Sequence, residues 1–540
     1  LASANPPLSL TRFRIRLPSP LVATAFLLAG LIILPLLDVI VTAVTADGAV
    51  WQRLWTTRIP ELLWNTFSLA LGVAIIDLTL GVSLAWILTR YRFAGSSLWE
   101  WIIILPLAIP SYVLAYTYTY LLQRNGPLDH AWQFVAGSDA QVFSPFSFTG
   151  ALVVMSLNTF PFVYLLARSA FKNFNISFEE AARAAGASRL KSFFRISLPM
   201  IRPSLLAGLF LAILYVASDF GAVSMLRFQT FTYAIYQQMT GRFDNTAAAC
   251  LSLLLVTCTF IFLIGERWFR QRSRFYQTTG RFRKPAPQLC TGLQSLGFHI
   301  YLFLVVMAAF GLPVILLIQW TWDALGAGNI PDGFLGYVWN SLSLSAVTAT
   351  IAIVVGLPLA HMACQKQTWV SLVSIQGAYT GYVLPGPVAA LAVLVLIAHL
   401  LPELYGTAMV LLIAYLVHFL PVALQGMEST LHQLSPNLEE AAKSLGARSV
   451  RTFFAVTFPL VRGGFLSAWI LVFIQCMKEL PATLLLRPVG FDTLAIRIWL
   501  EASEELYQLA APPALLIVAL TIPVVLLLMK KGQQSDTGHA

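Results

Sequence analysis

Two carboxylates sit where a carboxylate is costly. Asp219, in Ser218-Asp219-Phe220-Gly221, and Glu479, in Lys478-Glu479-Leu480-Pro481, both fall inside long apolar runs. An ionisable group there is expensive and usually functional, and as oxygen donors the two suit a hard cation. They are the candidate translocation-pathway residues. The alternative is a structural role, with Lys478 neutralising Glu479 or an interhelical bond holding each acid. Tyr112, Tyr116 and Tyr120 recur every four residues and share one helix face. Their phenols could line a cation path, but an aromatic belt at the membrane interface is the preferred reading. Asp38, Asp77, His399 and His418 read as local packing features. Cys250, Cys258, Cys290, Cys364 and Cys476 form no CxxC pair, so neither a zinc site nor a disulfide framework is indicated. There is no GxxxxGK[ST] phosphate loop, so this chain is not expected to bind ATP in the usual way.

The elements that must position these residues are membrane helices. Hydrophobic residues make up 58% of the 540 and charged residues 11%, about half the charged share of an ordinary soluble protein. Apolar runs of about twenty residues, enough to cross a bilayer as a helix, occur near 20–44, 62–89, 99–122, 148–169, 204–226, 246–265, 293–320, 338–363, 370–400, 405–428, 464–486 and 510–529. The third and ninth are interrupted by Pro106 and Pro110 and by Pro385 and Pro387. With the N-terminus inside, 26 of the 34 Lys and Arg fall on the inner side, seven outside, and Lys478 within a span. This positive-inside asymmetry predicts that both termini are cytoplasmic. It also accounts for the net charge of +10 without nucleic acid. The first span has basic flanks but is too long for a signal peptide and has no clear cleavage site, so it is expected to be retained.

The sequence repeats itself. A shift of 260 superposes Glu179-Glu180-Ala181-Ala182 on Glu439-Glu440-Ala441-Ala442, Gly186 on Gly446, Phe193-Phe194 on Phe453-Phe454, and Pro199 and Arg202 on Pro459 and Arg462. It also makes Asp219 and Glu479 symmetry mates. A shift of 275 superposes Trp64-Asn65 on Trp339-Asn340. Each half has an even number of spans and so enters the membrane in the same orientation, related to the other by a pseudo-twofold axis along the membrane normal. The expected fold is therefore an all-α polytopic membrane protein of about twelve helices in two parallel six-helix halves. The halves are 1–267 and 293–540, joined by a basic cytoplasmic linker at 268–292, and the symmetry implies a substrate path on their shared axis.

The repeated segments, 172–203 and 432–463, read as helical cytoplasmic loops. Ser177 stands three residues before Glu180, a capping-box spacing, and Asn437 before Glu440 offers a similar start. The Ala pairs favour helix and present a flat surface. Gly186 and Gly446 permit a turn or close approach, and Pro199 and Pro459 suit a first helical turn. A pair of amphipathic helices lying on the membrane surface is the bland alternative. Glu180-Ala181-Ala182, Gly186, Ile196 and Leu198-Pro199 resemble the EAA loop of permeases in binding-protein-dependent, ATP-driven importers of the type I fold. The second copy drifts at Val456 and Phe458. The resemblance implies that Glu179, Glu180, Ala181, Ala182 and Gly186, with Glu439, Glu440, Ala441, Ala442 and Gly446, form coupling helices. These would dock in a cleft of a cytoplasmic ATPase, the acidic residue meeting basic groups there. It implies two copies of that ATPase, which would bind the ATP and Mg, an external substrate-binding protein, and residence in a bacterial inner membrane. The drift in the second copy predicts grips of unequal strength.

The segments from Lys478 to Pro488 and from Gly490 to Ala495, with the two-halves-in-one-chain layout, resemble fused ferric-iron permeases. Related permeases for thiamine, polyamines, phosphonates or sulfate share the layout. A secondary transporter using Asp219 and Glu479 as proton carriers would explain the acids and the halves but not the duplicated loop. A channel or membrane scaffold would carry out no uphill transport.

Overall fold

A computed structural model describes residues 20–137, 143–272, 285–330, 333–364, 369–434, 438, 441, 442, 444–446 and 449–537. The chain is almost wholly helical, as a bilayer requires when no water is available to satisfy backbone groups. Among the described residues, eight helices are long and apolar enough to cross a membrane: Ile59–Arg90, Phe148–Lys172, Asn245–Gly265, Gly292–Gly326, Phe334–Ala363, Ala408–Leu431, Phe453–Met477 and Tyr507–Leu527. Three bent pairs raise the number to eleven, and Gly386–Leu400 is a shorter apolar helix. The segments expected from sequence thus all carry helix, while the count by length alone is eight to eleven rather than twelve.

Proline accounts for several breaks. Ser96–Ala108 and Ser111–Leu122 meet at 92°, with Pro106 in an intervening 3-10 turn and Pro110 immediately before the second helix. In the second half Trp369–Tyr379 gives way to Gly386–Leu400 at Pro385. Arg189–Met200 bends by 70° into Arg202–Ser218, where Pro203 removes an N–H and crowds the preceding turn. The matching position is Gly463, and there the helix Phe458–Met477 continues. The fifth and eleventh expected spans are not continuous. The helix Arg202–Ser218 stops at Asp219 and a short helix, Gly221–Met225, follows. Phe458–Met477 stops before Glu479 and is followed by Pro481–Leu486. Two further helices, Phe231–Thr240 and Leu494–Ser503, were not expected from sequence. They are too short and mixed in polarity to register as spans.

The halves interlock. Pro20–Val44 packs against Phe334–Ala363, Trp369–Tyr379 and Gly386–Leu400 of the other half. Gly292–Gly326 reciprocates against Ser111–Leu122, where the Tyr118 hydroxyl donates to the Ala308 carbonyl at 2.7 Å. Tyr112 and Tyr116 are buried, and Tyr116 stacks on Trp320 and Tyr507. They belong to this seam, not to an aromatic belt. Trp64 and Trp339, by contrast, are 75% and 70% exposed. Their neighbours explain the Trp-Asn repeat: the Asn65 amide donates to the Gln229 carbonyl and the Asn340 amide to that of Asp492, both at 3.0 Å. Of the linker, 273–284 lies outside the described residues. Gln288–Leu289 returns to pair in parallel with Tyr91–Arg92.

Gly81 and Gly356 occupy equivalent positions where the second helix of each half meets the fourth. A Cβ on Gly81 would lie 2.8 Å from the Tyr164 backbone nitrogen, whereas one on Gly356 would meet the flexible end of Met427 at 2.7 Å. Gly81→Ala is therefore expected to destabilise the chain by about 1–3 kcal/mol, and Gly356→Ala by clearly less. Thermal unfolding of both variants in detergent checks this; equal losses would contradict it.

Candidate functional site

The first of the two repeated loops is built on a short helix, Ser177–Ala184. Its start differs from the expected capping box. Ser177 is already helical, no side chain caps Ile176, and the Asn175 carboxamide oxygen accepts from the Ser177 N–H at 3.2 Å. Asn437, Glu439 and Glu440 lie outside the described residues. The end is a Schellman turn: Gly186 N–H donates to Arg183 and Ala187 N–H to Ala182, both at 3.0 Å. Gly186 takes φ +88° and Gly446 +85°, a left-handed conformation that strains other residues. Glycine is needed here for the turn itself, since a methyl group at either position would meet nothing within 4 Å.

Glu179 does not face outward as its place in the expected docking surface required. It is buried, and Arg90 at the end of Ile59–Arg90 donates to its Oε2 at 2.7 Å, the two side chains being 11% and 9% exposed. Ser197 Oγ donates to the same oxygen at 3.2 Å. The acid is a latch between the helix Ser177–Ala184, the following turn and the second span. Glu180, Ala181 and Gly186 are exposed and Ala182 is half-buried; in the second copy Ala441 and Gly446 are exposed and Ala442 half-buried. Both loops continue into a π-helical turn, Phe193–Ser197 and Phe453–Thr457, a rare local geometry that is frequent at functional sites. Phe194 and Phe454 project from these turns, 62% and 64% exposed.

Asp219 and Glu479 stand at equivalent helix breaks. Asp219 Oδ2 accepts from the Ala222 N–H at 2.8 Å, and Ser111 Oγ donates to Oδ1 at 2.5 Å. Glu479 Oε1 accepts from the Ala482 N–H at 3.1 Å. Each carboxylate therefore caps the short helix that follows it. Threonines satisfy the backbone carbonyls: Thr232 Oγ1 donates to Asp219 O at 2.6 Å and Thr483 Oγ1 to Glu479 O at 3.0 Å. Lys478 does not pair with Glu479; its Nζ donates across the seam to the Leu107 carbonyl at 2.8 Å. Phe220 and Leu480, next to the acids, lie in one apolar core shared by both halves. Trp499 Nε1 donates to Ser224 Oγ at 3.3 Å across it.

Arg90 and Ser111 were missed by sequence reading. Arg90 looks like any basic residue ending a span, and position 365, its counterpart by the 275 shift, is glutamine, so the repeat does not flag it. Ser111 has Gly386 as its counterpart. Among the described residues, no group of three or more His, Cys, Asp or Glu is arranged to hold a metal ion.

The model of the binding-protein-dependent transport system inner membrane component family matches twice, at residues 77–275 and 352–529. The chain belongs to this family. It is a multi-pass inner-membrane permease of a transport system that works with a substrate-binding protein and an ATPase. It is 33% identical to the Fe(3+)-transport system permease protein of Haemophilus influenzae over 88% of this chain and 91% of that one. A ferric transport system permease protein of Actinobacillus pleuropneumoniae is 22% identical over 87% and 70% respectively. The sulfate transport system permease protein of Salmonella typhimurium is 28% identical over 41% of this chain and 80% of its own length. These relatives are transport permeases.

The latch in this permease has a measurable consequence. Removing one partner of a buried pair leaves an uncompensated charge, so Arg90→Gln or Glu179→Gln should each cost roughly 2–4 kcal/mol. The exchanged pair, Arg90→Glu with Glu179→Arg, should recover part of the loss. Unfolding midpoints of the full chain in detergent measure both. Single variants as stable as the parent would show that the pair contributes nothing.

Proposed function

We propose that this permease imports ferric iron, received from an external binding protein and released to the cytoplasm by alternating access. A relative named for Fe(3+) transport, aligned over nearly the whole of both chains, carries the assignment of cargo. The oxygen-rich pair Asp219 and Glu479 is chemically compatible with a hard cation. On this reading both termini are cytoplasmic, following the distribution of Lys and Arg. Two copies of the ATPase bind ATP and Mg, one at each loop, and this chain needs no cofactor and performs no chemistry of its own. The exposed surface of Glu180, Ala181 and Gly186, with Ala441 and Gly446 in the second copy, is the docking face. Glu179 acts one step behind it by fixing the helix to the second span.

Asp219 and Glu479 serve the pathway as well as the fold. Asp219→Asn and Glu479→Gln each keep an oxygen that can cap the short helix but remove the charge. Radiolabelled ferric uptake in cells lacking the native chain should be restored by the parent and fall at least about tenfold with the double variant, the roughly 1.4 kcal/mol or more expected when a charged contact is lost. Unchanged uptake would leave the acids as caps alone. Normal iron uptake without the chain, with a defect in another solute such as sulfate, would overturn the cargo assignment.

The docking face has its own test. Gly186→Trp and Gly446→Trp should each reduce co-purification of the ATPase with the membrane-inserted chain, the first copy more than the second. If both variants retain the ATPase and ATP-driven uptake, the loops do not couple.

A further inference from the structure

We propose that a groove beside the first coupling loop is a binding site for an anionic phospholipid, a role that goes beyond transport and stands apart from it. The groove encloses about 880 Å³ between the second span, the coupling loop and the start of the fifth span. Its deep walls are Leu78 and Val82 on one side and Leu205, Leu206 and Leu209 on the other. These residues belong to membrane-crossing or bent-pair helices, so they lie at the depth of acyl chains, where a water-soluble partner does not reach. From Leu78 to Arg90 the helix rises about 18 Å, close to the ~15 Å of hydrocarbon in one leaflet. The groove has the length for an acyl chain.

Its mouth has the charge for an acidic headgroup. Arg183, Arg189 and Arg202 line it and are exposed; among the described residues none of the three is ion-paired. Arg90 and Glu179 also line the groove but neutralise one another, leaving Glu180 as the acidic group set against three guanidiniums. Basic pockets between membrane helices near the headgroups select anionic lipids, and guanidinium matches a phosphodiester geometrically. Ala286 and Gln288, at the described end of the linker, form part of the groove wall, held by the pairing of Gln288–Leu289 with Tyr91–Arg92. The linker occurs once in the chain. In the second half the counterparts of Arg189 and Leu190 are Ser449 and Val450. The lipid site is therefore assigned to the first half, wedged between the coupling helix and the spans it must move.

Native mass spectrometry of the full chain, delipidated in detergent and titrated with phosphatidylglycerol or phosphatidylcholine of identical acyl chains, tests this. The parent should bind phosphatidylglycerol at least about fivefold more tightly. Arg189→Gln with Arg202→Gln should bring the ratio to about one, and Leu206→Trp should weaken both lipids by filling the groove. Glycerol phosphate, a headgroup without chains, should not compete. Equal binding of the two lipids by the parent, an unchanged ratio in the arginine variant, or competition by glycerol phosphate would each overturn the proposal. None of these readouts involves iron or the ATPase, so failure here is separable from failure of the transport assignment.

Discussion

A helix interrupted inside a membrane protein frees N–H and C=O groups that lipid cannot satisfy, and that constraint organises the centre of this molecule. At both breaks the chain uses the same solution. A carboxylate turns back to cap the following short helix, and a threonine hydroxyl bonds the carbonyl of the acid itself. Acids that are costly in an apolar setting are thus held by the backbone donors they satisfy. The breaks lie in the apolar core that both halves share.

The two breaks are equivalent without being identical, and packing explains how they differ. In the first half Ser111 bonds Asp219 and faces Gly221, where a Cβ would stand 3.0 Å from the serine oxygen. In the second half the serine's place is taken by Gly386 and the glycine's by Pro481. A Cβ on Gly386 would run into the proline ring and lie 3.2 Å from Glu479 Oε1. Bulk has moved from one helix to the other, and the longer acid reaches its cap without the serine. Duplicated halves preserve a geometry while exchanging the atoms that fill it.

The loops show the same asymmetry on a larger scale. The first is anchored to its own half by Arg90 and Glu179 and is flanked by the returning linker. The second has glutamine at the position of Arg90 and enters an unbent helix. Burying the ion pair carries a desolvation cost that its geometry and the Ser197 hydrogen bond help offset.

Fold class, the duplication and the helix with its glycine turn in the repeated segment were legible in the sequence because each depends on composition or local pattern. Lipid demands long apolar helices, repeats preserve spacing, and the turn after the coupling helix needs a glycine. The place of each interruption was partly legible: Pro106, Pro110, Pro385 and Pro387 announced two, whereas the breaks at Asp219 and Glu479 looked like continuous spans. The part played by Glu179 was not legible. Its partner is 89 residues away, and a repeated acid looks the same whether it faces a partner protein or its own second span. The symmetry-related acids Asp219 and Glu479 illustrate the division. Sequence alone determined that they are paired by symmetry and set in apolar surroundings, since both follow from order along the chain. Only the tertiary structure decided that they cap broken helices, that Lys478 reaches across the seam to Leu107 and not to Glu479, and that Ser111 holds one acid alone. Those outcomes depend on which distant atoms packing brings within hydrogen-bonding reach, and no local pattern encodes that.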